Sequence, residues 1–146
     1  MADAPPDIPA GFAPHWRKSG LTDPWQPLYS RRTEDAVYIG LRAGPAHSNS
    51  RGFVHGGLIS SLADNGMGLS CGLALGHVPL VTVNLTLDFI AAAKQGEWLE
   101  VRPKVVRTGS TLCFAAAEIF SGETLCARAN AIFRTPWATS CSLKTK

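Results

Sequence analysis

Over residues 81–89 every second position is apolar: Val81, Val83, Leu85, Leu87 and Phe89 alternate with Thr82, Asn84, Thr86 and Asp88. That period of two predicts a β-strand with one buried face. Three further strands are predicted behind it. Leu99, Val101 and Val105 mark one after the Lys94-Gln95-Gly96-Glu97 turn, residues 112–120 a second after Thr108-Gly109, and residues 125–133 a third after Ser121-Gly122-Glu123. Pro103 implies an edge or a bulge in the first of these, because proline donates nothing to a ladder. Upstream, Val37, Ile39 and Leu41 alternate with Tyr38, Gly40 and Arg42, which predicts a strand over 36–42, with a weaker one at 27–31.

Between these strands the period changes. From Gly56 to about Leu75, Leu58, Leu62, Leu69 and Leu73 fall near one stripe, with Ile59, Ala63, Met67 and Ala74 beside it, and this predicts one long helix. Gly56, Gly57, Gly66, Gly68 and Gly72 each lower its intrinsic propensity by roughly 1 kcal/mol relative to alanine, so burial against a close neighbour has to compensate. Residues 43–54 hold Gly44, Pro45, His47, Ser48, Asn49, Ser50 and Gly52 and read as a loop rich in hydrogen-bonding groups. Strand, loop, long helix and four strands on short turns make an α+β pattern, an antiparallel sheet of five or six strands wrapped around one central helix. Residues 1–14, with Pro5, Pro6, Pro9 and Pro14, read as an extended or loosely docked arm, 15–135 as the single domain and 136–146 as a C-terminal tail.

Composition narrows what such a domain does. With 146 residues, 45% hydrophobic and 17% charged, the chain is one ordinary globular domain. It is too short for a barrel of eight strand–helix units or for a serine-hydrolase sheet with an inserted cap. The net charge of +3 comes from scattered basic residues, with no Lys/Arg stripe for a nucleic acid. Cys71, Cys113, Cys126 and Cys141 show no C-x-x-C pair and are expected to be reduced and structural; His15, His47, His55 and His77 lack metal-ligand spacing, so no metal is expected. The N-terminus has neither a basic start nor an apolar stretch, which makes a cytoplasmic location the expectation, and Ser60, Ser61, Asp64 and Asn65 interrupt 58–78 too often for a membrane span. Gly68-Leu69-Ser70-Cys71-Gly72 matches G-x-S-x-G, but inside a helix it lacks the strained turn a nucleophilic serine needs. Trp16, Trp25, Trp98 and Trp137 follow no pattern and are read as core or interface packing.

The junction of loop and helix carries the chemistry. Gly56 and Gly57 open the helix, where backbone N–H groups have no intrahelical partner and sit at the positive end of the macrodipole. An oxygen gaining negative charge is stabilised in such a place, by ~3 kcal/mol of barrier when the donor is preorganised. Asp64 lies eight residues further on, roughly 12 Å along the axis. That is too far to act on a carbonyl held at the same helix's N-terminus. Two helices lying antiparallel across a dimer interface bring the Asp64 of one chain to the Gly56 of the other.

The run from His47 to Asp64 resembles the PaaI-type branch of the hotdog-fold acyl-coenzyme A (CoA) thioesterases. That family's pattern is H-x-N-x-x-G-x-x-H-G-G followed by a helical Asp, and His47, Asn49, Gly52, His55, Gly56, Gly57 and Asp64 match it. The resemblance spans about residues 12–133 and implies a hotdog fold that hydrolyses an acyl-CoA to the free acid and CoASH. It implies no metal or redox cofactor, CoA being part of the substrate, and a homodimer, with a dimer or a tetramer built from two dimers both left open as the final assembly. By resemblance, Asn49 and Gly56 hold the thioester from one protomer while Asp64, helped by Thr82, acts from its partner as a nucleophile or as a general base. Gly57 and the turn Arg107-Thr108-Gly109-Ser110 are expected against the substrate, the turn near pantetheine and nucleotide, with Arg51, Lys104 and Arg134 adding charge.

The residues leave several alternatives open. His55 either braces the helix start or takes part in catalysis, Asn49 has an alternative role as an Asx-turn residue, and His47 reads as structural. Leu58, Ile59, Leu62 and Phe89 are expected to line the acyl pocket, which is read equally well as aryl or medium-chain aliphatic. Two rival functions are a hotdog dehydratase or hydratase that uses His55 with Asp64, and a non-catalytic acyl-CoA-binding module on the same scaffold.

Overall fold

Each predicted element forms, and the register between them positions the site. The computed structural model describes residues 7–135, so the expected tail at 136–146, with Trp137 and Cys141, lies outside the described residues. Strands β1 (Ala13–Pro14), β2 (Tyr29–Arg32) and β3 (Val37–Arg42) precede helix α1 (Gly56–Ala74), and β4 (Val81–Phe89), β5 (Trp98–Thr108), β6 (Leu112–Ser121) and β7 (Thr124–Arg134) follow it. All neighbours in the sheet are antiparallel, in the order β1-β2-β3-β5-β6-β7-β4. The two-residue β1 brings the strand count to seven; its residues pair with Ser30 and Tyr29 and so fasten the start of the described chain to β2.

Helix α1 buries one face in the concave side of this sheet. Leu58, Ile59, Leu62, Ala63, Met67 and Cys71 are buried against Ile39, Leu41, Leu99, Val101, Ile119 and Phe133. Its glycines do what their cost in propensity implied. A Cβ on Gly66 would stand 3.0 Å from the Val101 side chain and 3.6 Å from that of Ile39, so hydrogen there lets the helix approach β3 and β5 more closely than any side chain permits.

A buried polar contact locks the same face. Ser70, fully buried, donates its hydroxyl to the Gly66 carbonyl (2.7 Å) and accepts the Val37 N–H (2.9 Å). The β3–β5 ladder ends at the Ile39–Val101 pair, short of Pro103, and Val37 is satisfied by the helix instead of by a strand. A serine spent this way is no nucleophile, which disposes of the G-x-S-x-G match. Trp98 is buried beneath Phe12 and Tyr29, whereas Trp16 is 55% exposed, so of the two expected roles, core or interface packing, it does not take the first.

The cysteines behave as packing residues. Cys71, Cys113 and Cys126 are buried and free. Burial pushes up the thiols of Cys71 and Cys126, the latter to about 11, so both stay protonated near neutrality. Among the described residues no helix is long and apolar enough to cross a membrane, and no three His, Cys, Asp or Glu side chains cluster to hold a metal.

The outer edge strand differs from the rest. β4 pairs only with β7 and is largely exposed, Val81 at 59% and Val83 at 57%, so the cleanly alternating sequence there does not report burial within one chain.

Replacing Ser70 by alanine strands the Val37 N–H in the core, and the expected cost is about 1–3 kcal/mol. Chemical denaturation checks this: the midpoint falls while the slope stays unchanged.

Candidate active site

Two polar centres form at different points of α1. The first is its N-terminus. His55 is the N-cap residue, and its ring Nδ1 accepts the Gly57 N–H at 2.8 Å, while its carbonyl accepts the N–H groups of Leu58 and Ile59. The Gly56 N–H is left without a partner among the described residues, at the positive end of the helix. A Cβ on Gly56 would stand 3.2 Å from Cζ of Phe89, so the aromatic ring flanks this amide.

The preceding loop is braced to that cap. His47 is buried; its Nδ1 accepts the Gly44 N–H (2.9 Å), which leaves Nε2 to carry the hydrogen and donate it to the Trp25 carbonyl (2.9 Å). The His47 carbonyl in turn accepts the His55 N–H at 2.9 Å. Asn49 Oδ1 accepts the N–H groups of Arg51 (2.9 Å) and Phe53 (3.2 Å), an Asx turn that uses the side-chain oxygen and leaves the amide NH2 as the group free to donate.

The second centre lies mid-helix. Thr82 donates its hydroxyl to Oδ1 of Asp64 at 2.7 Å, fixing the carboxylate's rotamer and leaving Oδ2 with unspent lone pairs. Strict alternation would turn Thr82 away from the helix, together with Asn84 and Thr86. A β-bulge corrects this: Thr82 pairs with Phe133 and Asn84 with Ile132, so Val83 is an extra residue that turns Thr82 toward α1.

Asp64 and Thr82 open onto a cleft of about 510 Å³ that runs along α1 past Leu69 and Leu73. Its walls correct the pocket expected from the sequence. Leu58, Ile59 and Leu62 are 3%, 3% and 0% exposed and pack into the sheet, while Phe89 stands at the other centre. The apolar lining comes instead from Leu69, Leu73, Val78, Leu80 and Phe133. Its polar lining includes His15, Arg17, Arg32 and His77, which sequence reasoning missed because only the folded chain brings residues 15–32 over the helix. His15 is buried, its Nδ1 without a hydrogen-bond partner, and burial followed by the Arg17 guanidinium pushes its imidazole below the ordinary histidine range.

The remaining expected residues form a third group. Arg107 and Thr108 end β5, and Gly109 closes the hairpin by donating its N–H to the Leu112 carbonyl at 2.7 Å, with Ser110 exposed beside it. Thr108 pairs with Cys113, Cys113 with Phe133 and Phe133 with Thr82, a row that sets Thr108 three strand spacings, roughly 14 Å, from Thr82. One chain thus unites Asp64 with Thr82, and His55 with Gly56 and Gly57, sets the Asn49 turn in the loop before that helix start, and holds Asp64 apart from Gly56 along the helix.

Comparison with known proteins bears on this arrangement. Residues 51–127 match the Thioesterase superfamily model. The chain is 39% identical to "Putative esterase PA0474" of Pseudomonas aeruginosa over 132 residues, covering 89% of this chain and 98% of that one. It is 30% identical to human acyl-coenzyme A thioesterase 13 over 88 residues, 60% of this chain and 63% of the relative. In fold it is similar to zebrafish thioesterase superfamily member 2, with a TM-score of 0.75 at 21% identity over 82% of this chain and 88% of the other. It also resembles the Escherichia coli PaaI protein from the phenylacetic acid degradation operon, with a TM-score of 0.65 at 20% identity over 71% and 75%.

Substitution of His55 separates capping from chemistry. Asparagine supplies an N-cap oxygen, so His55→Asn is expected to keep stability within a few tenths of a kcal/mol, whereas His55→Ala loses about 1 kcal/mol. Thermal denaturation together with thioester turnover checks this, and His55→Asn is expected to retain most of the turnover.

Proposed function

This chain belongs to the thioesterase superfamily, as a hotdog-fold thioester hydrolase of the PaaI type, and from that premise we propose that it hydrolyses acyl-CoA esters at a site shared between two copies of the chain. In this reading Asn49 and Gly56 of one protomer hold the thioester carbonyl, and Asp64 with Thr82 of its partner acts on it. The observation that carries the proposal is the division of the machinery along α1: an unspent amide at Gly56, and a carboxylate oriented by a 2.7 Å hydrogen bond eight residues further on.

The chemistry follows from those two groups. Asp64 takes a proton from water as the water oxygen adds to the thioester carbon, and the carbonyl oxygen, gaining negative charge, accepts the Gly56 N–H. Collapse of the tetrahedral adduct expels the thiolate of CoA, which takes up a proton, and leaves the free acid. The Thr82 hydroxyl holds Oδ1, so Oδ2 is the oxygen presented to water. Gly57 contributes to substrate binding through the positive helix end, and His55 acts by fixing that end in place.

A second copy is proposed to pair along β4. Nine residues long, at the sheet edge and with exposed Val81 and Val83, this strand has the unpaired hydrogen-bonding row and apolar surface that a folded chain ordinarily covers. Antiparallel β4 strands set the two α1 helices antiparallel as well. The Arg107–Ser110 hairpin, with Arg51 and Lys104 exposed and Arg134 nearby on β7, is proposed to meet the pantetheine and phosphates of CoA.

Thiol release from a panel of aryl- and alkyl-CoA esters tests the proposal. The wild-type chain is expected to turn over at least one ester class, Asp64→Ala to lose about 10²–10⁴ of that rate, and Thr82→Val to lose less than Asp64→Ala while still folding. Full turnover by Asp64→Ala would refute the assignment.

A further inference from the structure

The cleft beside Asp64 has two kinds of wall in sequence along the helix. Beside the carboxylate, Asn65 and Thr82 are polar, and Leu69, Leu73, Leu80 and Phe133 form an apolar side. Beyond them it is cationic. Val37 is tied to Ser70, and Arg32 pairs with Val37 across the β2–β3 hairpin, which sets Arg32 beside the C-terminal half of α1, six to nine residues or roughly 9–13 Å past Asp64. There the Arg32 guanidinium donates to His77 Nε2 at 3.3 Å, and Arg17 lines the same cleft. His77 holds a left-handed backbone with φ of 68°, a conformation that non-glycine residues adopt at a cost and that concentrates at functional sites. The acidic Glu34 and Asp35 of the neighbouring turn do not line the cleft, so Asp64, at its other end, is the one carboxylate in the lining.

A cleft with an apolar side and guanidinium groups at one end suits a chain that is apolar along its length and anionic at its tip. Against Leu69, Leu73, Leu80 and Phe133 a hydrocarbon loses nothing, whereas amides of a pantetheine arm find no partner on those four side chains. A hydrocarbon with a plain methyl end would in turn press on Arg32 and His77 and strip them of water.

We propose that the cleft takes the acyl part of the substrate and that Arg32, His77 and Arg17 receive an anionic group at its far end, making carboxylate-terminated acyl thioesters the preferred substrate class. The inference rests on the acyl-CoA reading above. Guanidinium pairs a carboxylate in a bidentate fork, so the gain is one of specificity as well as affinity.

Two esters of equal length test it: octanoyl-CoA, ending in methyl, and suberoyl-CoA, ending in carboxylate. The expected kcat/KM ratio favours suberoyl-CoA by about tenfold or more, the worth of one charge-assisted contact, and falls to within about twofold in the Arg17→Gln/Arg32→Gln double variant. A wild-type ratio of one or less overturns the proposal. So does a double variant whose KM rises equally for both esters, since that assigns the arginines to the phosphates of CoA. Calorimetric titration with the free acids, suberate against octanoate, is independent of turnover. Preferential suberate binding without hydrolysis of these two esters or of any ester in the aryl and alkyl panel keeps the subsite and refutes the acyl-CoA hydrolase reading, and equal or absent binding of both acids refutes the subsite.

Discussion

A straight helix of nineteen residues separates the amide at its first turn from the carboxylate in its middle by roughly 12 Å along the axis, and the rest of the molecule is organised around that fixed distance. No rotamer of an aspartate bridges it. The sheet packs closely against α1, with Val101 and Ile39 against Gly66 and the Ser70 hydroxyl shared between helix and strand. A rigid scaffold of this kind holds each half of a reaction centre well and completes neither, which makes the edge strand β4 and the copy proposed to lie along it part of the catalytic design.

Precision within each half comes from ordinary backbone satisfaction. At the N-terminus, three of the first four amides are consumed by His55, through its ring and its carbonyl, and the one left over belongs to Gly56, where no side chain covers it. Mid-helix, one extra residue in β4 rotates the Thr82 hydroxyl onto Asp64. Neither centre needs a strained or exotic group. Their value to a hydrolase lies in preorganisation, a donor and an acceptor already oriented before the thioester arrives.

Much of this was legible in the sequence, for reasons that can be named. The period-two run at 81–89 and the helical stripe from Leu58 to Leu73 gave element boundaries within a residue or two, because the change of period and the Gly and Pro residues between them mark where each element stops. Glycines at the helix start and the lone helical Asp marked where polar groups meet the helix, and the resemblance to a known family, not spacing, supplied the thioester chemistry. The failures share a cause in three-dimensional context. The alternation of β4 suggested a buried face, but its apolar residues stand at an open edge; the bulge at Val83 leaves no mark in a binary pattern; and Leu58, Ile59 and Leu62 looked available to a ligand because a helical wheel does not say which of two apolar arcs the sheet will take. The cleft wall from residues 15–32 was invisible for a related reason, since segments far apart in sequence carry no local signal of meeting.

The central claim is that one reaction centre draws on two chains, and mixed dimers test it most directly. Asp64→Asn and Gly56→Val chains, each folded and each inactive alone, are to be unfolded together in equal amounts and refolded. Random pairing gives half hybrid dimers, each with one intact centre of two, so the account predicts recovery of about one quarter of wild-type turnover. A mixture no more active than its separate components would show that Asp64 and Gly56 act from the same chain, and would contradict the account.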